Sequence, residues 1–406
     1  MKKPSFIKKL ITLIDPFNLF KDNFYVSSNF VIGQKGAIWI DTAKPYHLYN
    51  TIPQLKAVIN RKATMFSNMN IYLVDIKTGK QQEDKDLDKL LQNPNPLQAQ
   101  NDWLRNFKEQ EQVYGNQFIY GNKPSPLMKY PLTLWNISPS VMRPVLSGKI
   151  FDQTTLEEII LNYEYESLTG QKTFEAKDIL YSKINDLDNP IEGRSCIIAL
   201  KYPISNIEAA YEYRNVIMKE KGALGILSNN SKDAMGAIPL GTEERERLEK
   251  TYTNRYGISK EQSKVILTEA SLTWTPMSYP TKDMLLFEEV DANLITIIDA
   301  FGLNVNMFSN KAATFENVKQ SIIQAYQDTI IPEADQFTQA LTKFLKIKEG
   351  YRIVASYDHL AIMKENKLKG MQSLESVIRS LNEAVTLGLL DKAKAVGILA
   401  TELGLN

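Results

Sequence analysis

Phe287, Val290, Leu294, Ile297 and Phe301 recur at intervals of three, four, three and four residues. That spacing lays one apolar stripe along a helix over 283–301, and Gly302 supplies its stop. A second helical stretch, 207–221, is opened by Ser205 and Glu208, which have the spacing of a capping box, and is closed by Gly222. Between the two helices lies a turn-rich segment, 222–281, with a helix cap at Thr242 and short strands at 265–267 and 272–274. Two long helices bracketing a compact segment predict a small subdomain on a helical stalk. Their apolar positions exceed what one antiparallel partner covers.

The chain has 406 residues, room for about two to three domains, and its 43% hydrophobic and 23% charged content is ordinary for a folded globular protein. Lys and Arg number 48 against 47 Asp and Glu, a net charge of +1. A protein built to grip DNA phosphates tightly carries a larger positive excess, so any nucleic acid it meets is held loosely. The single cysteine, Cys196, excludes an intrachain disulfide and points to a reducing compartment. With only His47 and His359 besides, no structural zinc cluster can be built. Residues 1–16 place lysines before a short apolar run that ends at Asp15-Pro16; they predict an amphipathic arm rather than a signal peptide or membrane span.

Elsewhere the pattern alternates. Ile52, Leu55, Val58, Ile59, Ala63 and Phe66 predict a helix over 51–69, followed by a strand at 71–76 and a turn at 77–80. A short helix at 86–91 is stopped by Asn93-Pro94-Asn95-Pro96, because each proline pushes the residue before it toward extended geometry. A helix at 99–114 and strands at 117–120, 132–137, 158–165 and 179–184 complete an α+β region. Helices are expected at 315–329 and 332–345, then a strand at 351–356 and a helical tail from 360. In that tail Leu374, Val377, Ile378, Leu381 and Val385 form a packing stripe, for which a partner in the same subunit and a partner in a neighbouring one are both open.

No phosphate loop, G-x-G-x-x-G, H-E-x-x-H or G-x-S-x-G motif is present. His47 and His359 are expected to be structural, and Cys196, with no charged neighbour to lower its pKa, an inert thiol. The acidic runs 83–86 and 243–247 have the composition of carboxylate metal sites, but a solvated turn and an exposed helix face account for them more simply. The segment 304–313 is small and polar, with one cation, Lys311.

Leu90-Leu91-Gln92-Asn93-Pro94-Asn95-Pro96-Leu97-Gln98 followed by Tyr114-Gly115-Asn116-Gln117-Phe118 resembles a signature of portal proteins from long-tailed double-stranded DNA phages, with Phe118 where Tyr is commoner. Leu134 to Pro139 and Asp178 to Lys183 resemble two further family motifs, the latter with Tyr181 in place of His. Ile297 to Leu303 is similar to the family's helix end, although Asn304-Val305-Asn306 replaces the usual proline. Ile330 to Asp335 resembles the family's next helix start.

The resemblance implies an α+β portal fold, assembled as a ring: an α/β wing at 1–204, stem helices at 205–222 and 282–303, and a small α/β clip at 223–281. A tunnel loop at 304–314, wing return helices and a strand at 315–359, and a helical crown at 360–406 complete it. It implies a non-enzymatic subunit of a homo-oligomeric, usually dodecameric, ring at the capsid vertex of the virion, made in the host cytoplasm. Duplex DNA passes through the ring without sequence specificity during packaging and ejection. The implied partners are the terminase large subunit, a head-to-tail adaptor and the major capsid protein, with no membrane, cofactor or metal. On this reading Asn304, Asn306, Ser309, Asn310 and Lys311 face the DNA. A carboxylate and metal-dependent DNA-processing enzyme, or a phage structural adaptor that does not close into a ring, are the alternatives.

Overall fold

The computed structural model describes residues 36–37, 43–148, 155–167, 170–187, 189–219, 225–229, 232–233, 236–237, 241–243, 246–247, 272–276, 286–308, 314–387 and 391–402. The expected N-terminal arm, the strand at 265–267 and most of the helix after Thr242 lie outside these residues. The chain divides into two units: Met1–Tyr46, Ile59–Cys196 and Phe301–Asn406 form the first, His47–Val58 and Ile197–Ala300 the second.

The described elements begin with β1 (Gly36–Ala37), α1 (Ala43–Thr51) and α2 (Pro53–Ser67). Pro53 occupies the first position of α2, where its missing N–H costs nothing. The predicted stripe is real, since Leu55, Val58, Ile59, Ala63 and Phe66 are all fully buried. Next come β2 (Asn70–Asp75), β3 (Gln81–Gln82), α3 (Lys85–Gln92) and α4 (Gln100–Tyr114). The Asp84 carboxylate caps α3 by accepting from the Leu87 N–H at 3.3 Å, and it also takes Lys129 at 2.6 Å and the Tyr130 hydroxyl at 2.9 Å. The first acidic run is therefore a helix start. Gly115, at φ +74°, ends α4 in the left-handed conformation, and a Cβ there would lie 2.4 Å from the Ser195 nitrogen.

Strands β4 (Asn116–Asn122), β5 (Thr133–Ile137) and β6 (Met142–Leu146) follow, then a single turn of helix, α5 (Leu156–Ile159), and β7 (Ile160–Ser167), β8 (Gly170–Glu175) and β9 (Ile179–Lys183). Sheet pairing is antiparallel throughout the first unit, in the orders β5-β4-β9 and β1-β6-β7-β8. Phe118, Tyr163 and Tyr181 join these two sheets, with Phe118 stacked on Tyr181 at 4.8 Å and edge-on to Tyr163 at 5.5 Å.

In the second unit, α6 (Lys201–Lys219) is followed by β10 (Gly225–Asn229), β11 (Lys232–Asp233), β12 (Gly236–Ala237), β13 (Leu272–Pro276) and α7 (Leu286–Ala300). The helix expected to open at Ser205 starts four residues earlier. Pro203 falls inside the first turn, which has no N–H to lose, so the capping-box pattern is not the helix start. Helices α6 and α7 pack on each other, with Ile204, Ile207, Ile297 and Ile298 fully buried. β10 pairs with β13 antiparallel, bringing Asn229 opposite Leu272.

Returning to the first unit, α8 (Phe315–Ala325) leads through a π turn, Tyr326–Ile330, into α9 (Ile331–Phe344), then β14 (Tyr351–Ser356), α10 (Ala361–Thr386) and α11 (Lys392–Glu402). Two separate helices were expected around Pro332; the structure has one continuous rod. Pro332 lacks the N–H that an α-turn needs and its ring clashes with the carbonyl four residues back. The π turn, in which the Ile331 N–H bonds the Tyr326 carbonyl, widens the helix and removes that clash. β14 pairs with β2 to complete the sheet β14-β2-β3.

The core of this unit contains a charge cluster. Lys62 of α2 meets Glu333 of α9 at 2.8 Å, Lys108 of α4 reaches the other Glu333 oxygen at 2.9 Å, and Lys108 also pairs with Glu111. The Ser182 hydroxyl donates to Glu111 at 2.8 Å. Lys108 is 3% exposed, above the Phe66 ring. Burial pushes the Glu333 carboxyl upward, but Lys108 and Lys62 outweigh it and hold the group below its ordinary value.

Glu333→Gln should cost about 3 kcal/mol at neutral pH, because it leaves two buried ammonium groups short of a counter-charge. The folded carboxyl titrates below its unfolded value, so its contribution is present above the ordinary carboxylate range and lost as pH falls through the folded value. Urea unfolding of both proteins should therefore show a gap that narrows in acid.

Candidate channel loop

The segment after α7 is pinned before it becomes a loop. Gly302 sits at φ +69°, and its carbonyl accepts the Thr329 hydroxyl at 2.7 Å from inside the π turn. Phe301 and Leu303 on either side are buried. Asn304 caps a single 3₁₀ turn, Val305–Met307, by accepting the Asn306 N–H at 3.0 Å. The Asn306 amide donates to Ser321 of α8 at 3.2 Å. The far end is closed by Thr314, whose hydroxyl oxygen accepts the Asn317 N–H at 3.3 Å and starts α8.

Of the five residues singled out from the sequence, Asn304 and Asn306 thus spend side-chain hydrogen bonds inside the chain. Ser309, Asn310 and Lys311 lie outside the described residues. The loop leaves from Gly302 and returns at Thr314, with Thr329 and Ser321 as its anchors. No sequence motif marked these anchors, since a threonine and a serine on a helix carry no signal of what they touch.

The motif residues have structural work. Asn95 donates to the Leu134 carbonyl at 3.1 Å and accepts the Leu97 N–H at 3.0 Å, while the Leu134 N–H donates to the Pro94 carbonyl at 2.7 Å. The Asn-Pro-Asn-Pro run is therefore a clip onto β5. Asn116 makes a two-way pair with the Gly193 backbone, at 2.8 and 2.7 Å. The Tyr181 hydroxyl lies 2.6 Å from the Asn116 side-chain oxygen and 2.8 Å from the Ile191 carbonyl. Two of the motifs thus touch in space.

The remaining candidates for chemistry are dispersed. Burial raises the Cys196 thiol to about 11, as expected for an unreactive cysteine. His359 is exposed and His47 half-buried. Among the described residues no group of three or more His, Cys, Asp or Glu side chains is placed to hold a metal, and no helix is long and apolar enough to cross a membrane.

The model of the family described as "Phage portal protein" matches residues 53–382. The chain belongs to that family. An uncharacterized protein of Rickettsia felis is 24% identical over 318 residues, covering 76% of this chain and 77% of its own. Two solved structures share the portal fold. A chain in the neck of a native GTA particle, computed with C12 symmetry, has a TM-score of 0.61 at 17% identity, covering 91% of this chain and 96% of its own. An HK97-family phage portal protein from Corynebacterium diphtheriae has a TM-score of 0.50 at 10% identity, covering 80% and 96%. In this portal-family chain the motif residues join β4, β5 and β9 to neighbouring loops, and the loop anchors hold the segment after α7.

Gly302→Ala should lower stability by about 1–3 kcal/mol, because alanine is strained at that φ. Its Cβ would also come within 2.7 Å of the Thr329 hydroxyl. Adding Thr329→Ala relieves the collision but not the backbone strain, so a double-mutant cycle by chemical denaturation should show a non-zero coupling between the two sites.

Proposed function

We propose that twelve copies of this chain close into a ring at one vertex of a phage or phage-derived capsid, and that duplex DNA passes through the centre during packaging and ejection. The observation that carries this reading is the portal family match across 53–382. The C12 symmetry of the similar neck structure supports the stoichiometry. In this reading the subunit catalyses nothing; a terminase motor supplies the energy and docks on the clip, which a head-to-tail adaptor later occupies, while the major capsid protein surrounds the wing.

Lys311 contributes one cation per subunit to a circle around the DNA. Contacts of this kind are weak and salt-screened, and they hold a duplex without halting it. The net charge of +1 fits such a channel, because strong phosphate binding stalls a moving cargo.

Native mass spectrometry of the purified chain should show the ring, and a strict monomer at high concentration and low salt overturns the assignment. Lys311→Glu should leave rings intact while shortening or destabilising the packaged genome, measured against wild type and Lys311→Ala; full-length, normally retained DNA in the Glu variant removes the loop from the channel. The clip is tested separately. Because Asn229 pairs with Leu272, residues 230–271 can be replaced by an Asn-Gly turn that preserves the β10–β13 hairpin. That variant should assemble yet fail to dock the motor, and normal packaging by it rejects the clip assignment.

A further inference from the structure

Helix α9 is closed by a lysine at the position that usually goes to glycine. The Lys346 N–H donates to the Lys343 carbonyl at 3.1 Å and the Ile347 N–H to the Thr342 carbonyl at 3.2 Å, the paired bonds that end a helix through a left-handed residue. Lys346 is that residue, at φ +50°, and it is the one non-glycine with positive φ among the described residues. Gly115 and Gly302 take the same conformation after α4 and α7, where no Cβ opposes it. Lys343 in the last turn of α9 already complements the helix dipole, so Lys346 is not needed for that. A side chain kept where it strains its own backbone points to a use outside the fold.

The fold brings other lysines to it. Tyr351 pairs with Asp75, and the Gly350 carbonyl accepts the Ile76 N–H at 2.9 Å. The turn carrying Lys348 therefore lies beside the β2–β3 turn, which carries Lys77 and Lys80. On the other flank Gly121 of β4 packs on Phe344, whose ring would lie 2.9 Å from a Cβ at that glycine. Two residues beyond this contact on each segment come Lys123 and Lys346. Burial raises the Asp178 carboxyl, and Lys177, Lys123 and Lys346 all act from close by to lower it. Five exposed lysines, 77, 80, 123, 346 and 348, thus gather from three turns. Among the described residues no carboxylate is within ion-pairing distance of any of the five. Three acids are near, Asp75, Asp178 and Glu349, and Asp75 spends an oxygen on the N–H groups of Lys77 and Thr78 at 2.8 and 3.1 Å. Lys177 is matched by Glu175 at 2.5 Å. Five lysines against three acids concentrate positive charge here in a chain whose total is +1. Ile76 stands 57% exposed beside Lys77.

We propose that this face, Ile76 with Lys77, Lys80, Lys123, Lys346 and Lys348, docks an acidic segment of another protein that also carries a large apolar side chain. Charge complementarity selects the acidic partner, because lysines on separate turns are flexible point charges that the carboxylates of an extended segment can reach. Ile76 selects protein over nucleic acid, because the phosphate backbone of a duplex offers little apolar surface to cover an exposed isoleucine. The inference concerns one unit of the chain and does not depend on ring closure.

Fluorescence anisotropy on the full-length chain tests it, with a labelled peptide of glutamates around a central leucine. The peptide should bind at low salt and weaken as salt rises. Lys77→Glu combined with Lys348→Glu should weaken it about tenfold or more, while Lys392→Glu combined with Lys394→Glu, an equal change of charge on α11, leaves it unchanged. Ile76→Ser should weaken the leucine peptide about threefold or more and leave an all-glutamate peptide unaffected. Lys346→Gly gives two readouts of opposite sign: the urea midpoint should rise because the strain is gone, while peptide affinity falls about threefold or more. Absence of binding by the parent at low salt overturns the proposal, and so does an equal loss in the α11 variant or full affinity in the Lys77→Glu, Lys348→Glu variant. Tighter binding of a DNA duplex than of the leucine peptide overturns the choice of occupant and transfers the face to nucleic acid.

Discussion

Lys108 is buried between Glu111 on its own helix and Glu333, which arrives from more than two hundred residues further along the chain. Lys62 takes the second oxygen of Glu333, and Ser182 extends the cluster to β9. Two lysines and two glutamates make it neutral, so the attraction among them offsets the cost of desolvating each charge so long as every member is present. Buried ion pairs contribute little net stability compared with apolar residues of the same size, but they tolerate no misalignment. What this cluster contributes is register: α2, α4, α9 and β9 fit in one arrangement, because a shift of one turn leaves a bare charge in the core.

That register carries through to the proposed channel. Glu333 lies in the first turn of α9, directly after the π turn that Pro332 requires. The π turn presents Thr329 to the Gly302 carbonyl, and Ser321 one helix earlier takes Asn306. The segment entering 304–314 is thus fastened to a helix that the charge cluster holds in place. The proposed role of this loop in a channel calls for such an anchored base, because a loop on a fixed base keeps a constant radius.

The family motifs have a similar logic. Asn95 and Asn116 satisfy backbone groups of segments far away in sequence, and Tyr181 supplies a hydroxyl to Asn116. Gly115 is required twice over, by its positive φ and by the closeness of the Ser195 nitrogen.

Local pattern was enough for the elements whose signals are local. The stripe of α2, the proline stop after α3, the strand at β14 and the long α7 follow from spacing and turn chemistry, and the ordered motifs were enough to identify the family. The misreadings have physical causes. Ser205 and Glu208 have the capping spacing, yet the helix runs through them because the first-turn proline favours an earlier start. Pro332 looked like a break, yet a π turn carries the helix past it. The ion cluster, the pairing of Thr329 with Gly302 and the use of Asn304 and Asn306 inside the chain were illegible, since each joins residues whose neighbours in sequence say nothing about their neighbours in space. The sequence by itself determined helices, strands, turns and family, because those depend on contacts within a few residues. Only the tertiary structure decided which charges are buried together, which loop ends are tied and which lysines gather on one face, because those depend on where distant segments meet.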